Sequence, residues 1–296
     1  MDRFLISRKN TGLGSDLATV VGAWDYARRT SRTLVIDWRN SLYLQDRSLN
    51  AFPRLFQKID HIEGVRVICD DSIAKQRFPT PTFPLQSLGH HEYRDLILHR
   101  TDMDAPTLLN RLPMHSFPSV ELQRKVLSAL RLHDGVQSQV NEFIRDEFAS
   151  ATVLGVHFRH GNGEHLGFGR DSDTLDRCQQ FAVACREMYK NLKNTSHRHF
   201  RIFLATDSQE VVHHLTSLIS SVFTRPKRFH ELNGGRLHRR SLGLSGAQDA
   251  LIEMSLLAQC NALIYNSSWF SYYARLLGQF DLAPVNLTPN RNYATI

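Results

Sequence analysis

With 296 residues, the chain is long for one domain and comfortable for two of ordinary size. Its 42% hydrophobic and 22% charged residues, free of low-complexity tracts, exclude a disordered or fibrous chain, and no run approaches the ~18 apolar residues of a membrane span. A net charge of +7 points to an anionic ligand; the cations are dispersed and carry no nucleic-acid motif, so a small polyanion such as a nucleoside diphosphate suits them better than a duplex.

The opening residues predict a βαβ unit. Phe4 to Ser7 is a short apolar strand, Thr11-Gly12-Leu13-Gly14-Ser15 a small-residue turn, and Leu17, Val20, Val21 and Trp24 recur at helical spacing. That helix ends at Arg28-Arg29, and Thr33 to Trp38 is the next strand. Strand, helix and strand in this order make a parallel sheet. Val65 to Cys69 adds a further strand before Asp70-Asp71. Prolines 79, 81, 84, 106, 113 and 118 then oppose long helices and central strands, so 72–118 reads as irregular. Residues 119–148 read as two helices, broken at Asp134-Gly135, near a lobe boundary.

The expected domains are 1–150 and 151–296. The second opens with Val153 to Arg159, whose continuous apolar run predicts a strand buried on both faces. A helix over 172–192, a strand over 200–205, a helix over 208–221 and the basic turn Pro226-Lys227-Arg228 follow. Then come a helix over 247–259, a strand over 262–265 and a helix over 268–277. The alternation predicts a second doubly wound sheet.

Ligands of open parallel sheets bind beyond the carboxyl ends of the strands. Three polar clusters fall there: Arg159 to Glu164, Thr206-Asp207-Ser208 and Asn266-Ser267-Ser268. The four cysteines lack CxxC spacing and the 15 histidines form no HExxH-like pair, so neither a metal site nor a disulfide framework is expected. The start lacks the apolar region and cleavage site of a signal peptide, and the chain reads as cytoplasmic.

Gly155-Val156-His157-Phe158-Arg159-His160-Gly161-Asn162-Gly163-Glu164 resembles the HxRxGNGE segment of the NodZ-type nodulation fucosyltransferases, and more loosely the HxRR segment of α1,6- and protein O-fucosyltransferases. Other segments resemble the same family in the same order. They are Leu5 to Arg8 with Thr11 to Gly14, Arg32 to Arg39, Asn50 to Pro53, Val67 to Asp71, Phe203 to Ser208, Pro226 to Phe229, Ala250 to Met254 and Tyr273 to Leu277. The resemblance covers nearly the whole chain and is weakest across 76–118. It implies a GT-B architecture, two Rossmann-like α/β lobes facing across a cleft, the N-terminal one on the acceptor side and the C-terminal one holding GDP-β-L-fucose. It also implies inversion at the anomeric carbon without a metal or other cofactor, and a glycan acceptor such as O6 of GlcNAc. Association with inner-membrane glycan assembly would be peripheral.

Metal-free transfer leaves the developing charge on GDP to cations and N–H groups. Arg159 is the first candidate for the diphosphate, because guanidinium binds phosphate in a bidentate manner and stays charged. Gly161 and Gly163 beside it suit a backbone nest, with His160, Asn162 and Asp207 near the same strand ends. Lys227 and Arg228 are second candidates, with a solvated corner as the plain alternative. By resemblance His157 and Glu253 stand at guanine-contacting positions, although the family usually carries Asp at the latter. Asp249 and Glu253 share a helix face, which an exposed i,i+4 acidic pair would also explain.

Ser267 and Ser268 are expected to cap the last helix, a natural anion site. In the GT-B reading Gly12 and Gly14 let the first lobe approach the donor. Glu164, beyond the glycine turn, is the expected general base, with Asp207 and Asp37 the other carboxylates. Two rival functions are a GDP-sugar-binding protein without turnover and a dinucleotide-dependent oxidoreductase. The intact Arg159, Asn162 and Glu164 oppose the first; Leu17, where the fingerprint needs a third glycine, opposes the second.

Overall fold

A computed structural model describes residues 4–8, 12–74, 107–109, 118–160, 171–193, 198–229 and 242–288. The chain forms two compact units, Met1–Asp134 with Arg240–Ala247, and Gly135–Arg239 with Gln248–Ile296.

The first unit is built on β1 (Phe4–Ser7), α1 (Leu13–Thr30), β2 (Thr33–Ile36), β3 (His61–Ile62), β4 (Val65–Ile68), β5 (Thr107–Leu109) and α2 (Val120–Ala129). The sheet order is β3-β4-β2-β1-β5, parallel throughout except for β3. The helical stripe expected of α1 faces the core: Val20, Val21 and Trp24 are fully buried, and the Trp24 indole donates to the Ile62 carbonyl at 2.9 Å. Ser31, in the left-handed region at φ 52, ends the helix. Strand β5 corrects the irregular reading of 72–118. It is three residues long, directly follows Pro106, and pairs with β1 from Leu5↔Thr107 to Ser7↔Leu109. A proline is tolerated at the entry of an edge strand, and so short a strand takes its identity from its partner.

The second unit takes in α3 (Asp134–Phe143), which runs on into a π-helical turn, Ile144–Phe148. Phe143 and Phe148 each lie 5.7 Å from Phe203, which is why the division falls ahead of residue 150. Next come β6 (Ala151–Phe158), α4 (Asp171–Lys193), β7 (His199–Thr206), α5 (Gln209–Leu218), β8 (Val222–Phe223), α6 (Gly243–Ala258), β9 (Ala262–Tyr265), α7 (Trp269–Leu277) and β10 (Val285–Asn286). All five strands are parallel, in the order β10-β9-β6-β7-β8.

Strand β6 is central and buried at every residue, as its sequence predicts. Leu154, Val156 and Phe158 pack on one side with Phe181 and Cys185 of α4 and with Val211 and Leu215 of α5. Gly155 faces the other side, so close to the end of α6 that a Cβ there would lie 3.0 Å from Cys260 Sγ and 3.1 Å from Leu257. Helices therefore cover both faces, and the doubly wound reading holds. The four cysteines are buried and free.

Candidate active site

The carboxyl ends of β6, β7 and β9 lie side by side, and the sequence places a polar residue at each. Beyond the last β6–β9 pair, His157↔Tyr265, the ladder continues on a side chain. Asn266 Oδ1 accepts from the Arg159 N–H at 2.7 Å, and Asn266 Nδ2 donates to the Arg159 carbonyl at 2.8 Å. A primary amide presents the same donor and acceptor as a peptide group, so Asn266 holds Arg159 as a further strand residue would. Its own N–H returns to the His157 carbonyl at 3.2 Å.

Arg159 also pairs with Asp207 at the end of β7, Nη1 to Oδ2, at 2.8 Å. The other carboxylate oxygen accepts from the His160 N–H at 2.8 Å. One carboxylate therefore binds both the side chain of Arg159 and the backbone N–H of the next residue. The Arg159 side chain remains 23% exposed. His160 Nε2 lies 3.0 Å from Thr174 Oγ1 of α4.

His157 is buried and stacks on Phe270 of α7, ring centroids 4.8 Å apart and 20° from parallel. Burial, with Arg159 adding to it, lowers its pKa to about 3 and leaves the imidazole neutral. Its Nδ1 is buried with no hydrogen-bond partner among the described residues. An orphaned ring nitrogen is costly, and a bound ligand would relieve it.

Lys227 and Glu253 meet each other. The ammonium donates to both carboxylate oxygens, at 2.6 and 2.7 Å, and to the Thr206 carbonyl at 2.5 Å, with its side chain 2% exposed. The solvated-corner alternative fails for Lys227, and Arg228 beside it is the exposed residue. One turn up α6, Asp249 pairs with Arg225. Asp249 and Glu253 are therefore each neutralised, and the exposed-pair alternative also fails. Burial pushes the Glu253 carboxyl up, with Lys227 acting against it.

Ser268 caps α7: its Oγ accepts from Ser271 N at 3.1 Å while Ser271 Oγ accepts from Ser268 N at 3.0 Å. Ser267 does not cap. Its N–H donates to Thr288 Oγ1 at 2.6 Å and its hydroxyl accepts from Asn286 at 3.1 Å. Gly12 precedes α1 in extended conformation without a side-chain cap, and Gly14 lies buried within the first turn, where the sequence reading expected an open turn. Gly161, Asn162 and Glu164 lie outside the described residues. Arg225 and Phe270 are members of the cluster that the sequence reading did not single out, and Asn266 was named there only as part of a polar cluster. The signal for Arg225 was present: charges two apart on an extended segment match charges four apart on a helix.

The first unit carries its own cluster at the ends of β1 and β2. Arg8 pairs with Asp37, and Arg39 binds the same carboxylate through Nε at 2.9 Å and Nη2 at 2.8 Å. Burial alone would raise the Asp37 carboxyl; Arg39 and Arg8 hold it below the usual carboxylate range. Asn50 ties the neighbouring ends together, donating to the Ile36 and Cys69 carbonyls and accepting from Trp38 N. Asp37 is fully buried and doubly paired, so it is not available as a base. Among the described residues, no group of three or more His, Cys, Asp or Glu gathers as a metal site.

Two α/β units, one with a sheet parallel but for β3 and one with a wholly parallel sheet, make up the GT-B fold that this chain shares with solved fucosyltransferases. The chain belongs to the nodulation protein Z (NodZ) family of fucosyltransferases, whose family model matches residues 1–90 and 86–291. It is 34% identical to nodulation protein Z of Bradyrhizobium diazoefficiens, over 95% of this chain and 82% of that one. Among solved structures it resembles NodZ α-1,6-fucosyltransferase soaked with GDP-fucose, with TM-score 0.73, 31% identity and coverage of 94% and 93% of the two chains. POFUT1 in complex with GDP shares the fold alone, at TM-score 0.59 and 12% identity over 96% and 98%.

Proposed function

We propose that the protein moves fucose from GDP-β-L-fucose to a hydroxyl of an oligosaccharide or glycolipid acceptor, O6 of a GlcNAc unit, with inversion and without a divalent metal. The observation that carries this reading is the convergence of Arg159, His157 and Glu253 at one sheet edge in a chain of the NodZ family. Arg159, pre-aimed by Asp207 and Asn266, neutralises the charge that develops on the departing diphosphate. Neutral His157 and Glu253, bound by Lys227, meet the guanine. The C-terminal domain, 151–296 in the sequence reading, holds the donor, and the N-terminal one faces the acceptor.

Inversion requires the acceptor hydroxyl to attack from the face opposite the leaving group. Its proton passes to Glu164, which follows Arg159 beyond the glycine turn. The reaction is placed in the cytoplasm, peripheral to glycan assembly at the inner membrane. The test is incubation of the purified protein with GDP-fucose and a panel of chitin-type and lipopolysaccharide oligosaccharides. Release of GDP with an α-fucosylated product supports the reading, and UDP-sugars are expected to be inert. Tight GDP-fucose binding without turnover on any glycan would instead identify a non-catalytic GDP-sugar-binding protein. In Glu164→Gln, kcat is expected to fall with GDP affinity intact; an unchanged pH profile removes Glu164 as the base.

A further inference from the structure

An ammonium has three N–H bonds. Lys227 spends them on Glu253 Oε1, Glu253 Oε2 and the Thr206 carbonyl, so no donor remains for a phosphate. Glu253 is not exhausted in the same way. Each carboxylate oxygen has two acceptor directions, and Lys227 fills one on each. Among the described residues, what remains is a matched pair of acceptors on a carboxylate, its side chain 6% exposed, that the lysine holds through both oxygens.

The placement of this pair is dictated by two chain repeats. In an extended segment residues i and i+2 point the same way, roughly 6.5 Å apart; in a helix i and i+4 do so, about 6 Å apart. Arg225 and Lys227 flank Pro226 and meet Asp249 and Glu253 in that register. The third bond of Lys227 anchors it to Thr206, the residue before Asp207, which holds Arg159. The carboxylate and the guanidinium are thereby referenced to one strand end.

We infer that Lys227 is a positioning residue for base recognition: it holds Glu253 ionised and turned so that each oxygen keeps one acceptor direction for a ligand edge with two adjacent N–H donors, as guanine has, and so sets the preference for guanine over hypoxanthine. This rests on the reading of Glu253 as the guanine contact. Protonated Glu253 would present a donor of its own and could not accept from both N–H groups. The groups facing the carboxylate are Lys227 and Arg225 from the segment after β8 and Asp249 from its own helix; His157 of β6 faces Lys227 and is neutral. Without Lys227, the burial that pushes the carboxyl up acts unopposed except by Arg225.

The experiment is calorimetric binding of GDP and IDP, which lacks the 2-amino group, at pH 6.5 and 8.5. It compares the wild type with Lys227→Met, Lys227→Gln, Lys227→Arg and Glu253→Gln, each checked for folding by circular dichroism. The wild type is expected to favour GDP by about tenfold or more at both pH values, the worth of one hydrogen bond to a charged group. In Lys227→Met the ratio is expected to fall at pH 6.5 and to be larger at pH 8.5, because burial pushes the carboxyl up and the higher pH favours its ionised form. Lys227→Arg, which keeps the charge, is expected to retain most of the preference at both. Lys227→Gln keeps donors without charge and gives the same reading as the Met variant if the latter does not fold. A wild-type ratio in the folded neutral variants, or a loss that pH does not reverse, overturns the role of Lys227, provided Glu253→Gln abolishes the preference. A wild-type ratio in Glu253→Gln overturns the guanine contact itself, and the lysine inference with it.

Discussion

Each sheet ends in a carboxylate with arginine against it, and the two sites differ in what is left over. In the first unit Asp37 is paired twice, by Arg8 and Arg39, and all three side chains are buried. In the second, Asp207 pairs with Arg159, whose side chain stays partly exposed. The topological place and the residue types are the same. Paired and buried on all sides, the charges bind strand ends to each other; left partly open, they are available to a ligand. The position of a charge in the fold therefore does not decide its role, whereas its remaining hydrogen-bonding capacity does.

The sharpest break of that comparison is Asp37→Asn. It removes the buried carboxylate that binds both Arg8 and Arg39, which costs about 3–5 kcal/mol. Urea unfolding is expected to show the loss, and a midpoint equal to wild type would mean the cluster is not structural. Arg159→Ala is expected to do the reverse, lowering kcat by ~10²–10³ while the melting temperature holds. Arg159→Lys is expected to recover only part of the rate, because the fork is lost. Near-normal turnover in Arg159→Ala would place the diphosphate elsewhere, with exposed Arg228 next in line.

A smaller effect separates the units by pH. His157 has its pKa lowered from 6.5 to about 3, so the folded state refuses a proton that the unfolded state accepts. Its stabilisation is complete above the unfolded value and is lost as pH falls from 6.5 towards 3, at about 1.4 kcal/mol per unit. Melting at pH 5 is therefore expected to show about 2 kcal/mol less stability from this group, and His157→Gln to flatten the slope. Asp37, held below the ordinary range, loses its contribution only in stronger acid, so the second unit is expected to loosen first. The smallest expected effect is that of EDTA, which should leave fucosyl transfer unchanged. Loss of activity with rescue by Mn²⁺ would show that Arg159 does not carry the leaving-group charge alone.

The parts of the fold legible in the sequence are those whose pattern is local. The continuous apolar run of β6, the stripe of α1 and the strand from Ala262 to Tyr265 depend on periodicity alone, and each forms where expected. Strands β3, β5, β8 and β10 have two or three residues each, too few to show a period, and arise from pairing with a neighbour. The candidate site divides in the same way. The rule that ligands bind beyond strand ends pointed to Arg159 and Asp207, because it needs only the strand ends, whereas His157 came from the resemblance. Lys227 and Glu253 were assigned to opposite ends of the donor, and their pairing joins residues far apart in sequence. Asn266 lay in a recognised polar cluster, but its use as a substitute peptide group depends on the register of two strands.

Gly155 gives this arrangement a dimension set from within. It stands on the same face of β6 as His157, and the end of α6 rests where its side chain would be, with Cys260 Sγ 3.0 Å from the position of a Cβ. Glu253 rides on that helix. The glycine thus acts as a shim of zero thickness between the two walls that carry the histidine and the carboxylate. A single methyl inserted there would have to be taken up by neighbours giving way a few tenths of an ångström. The spacing of β6 and α6 is inherited from the core beneath them, and a residue without a side chain sets it.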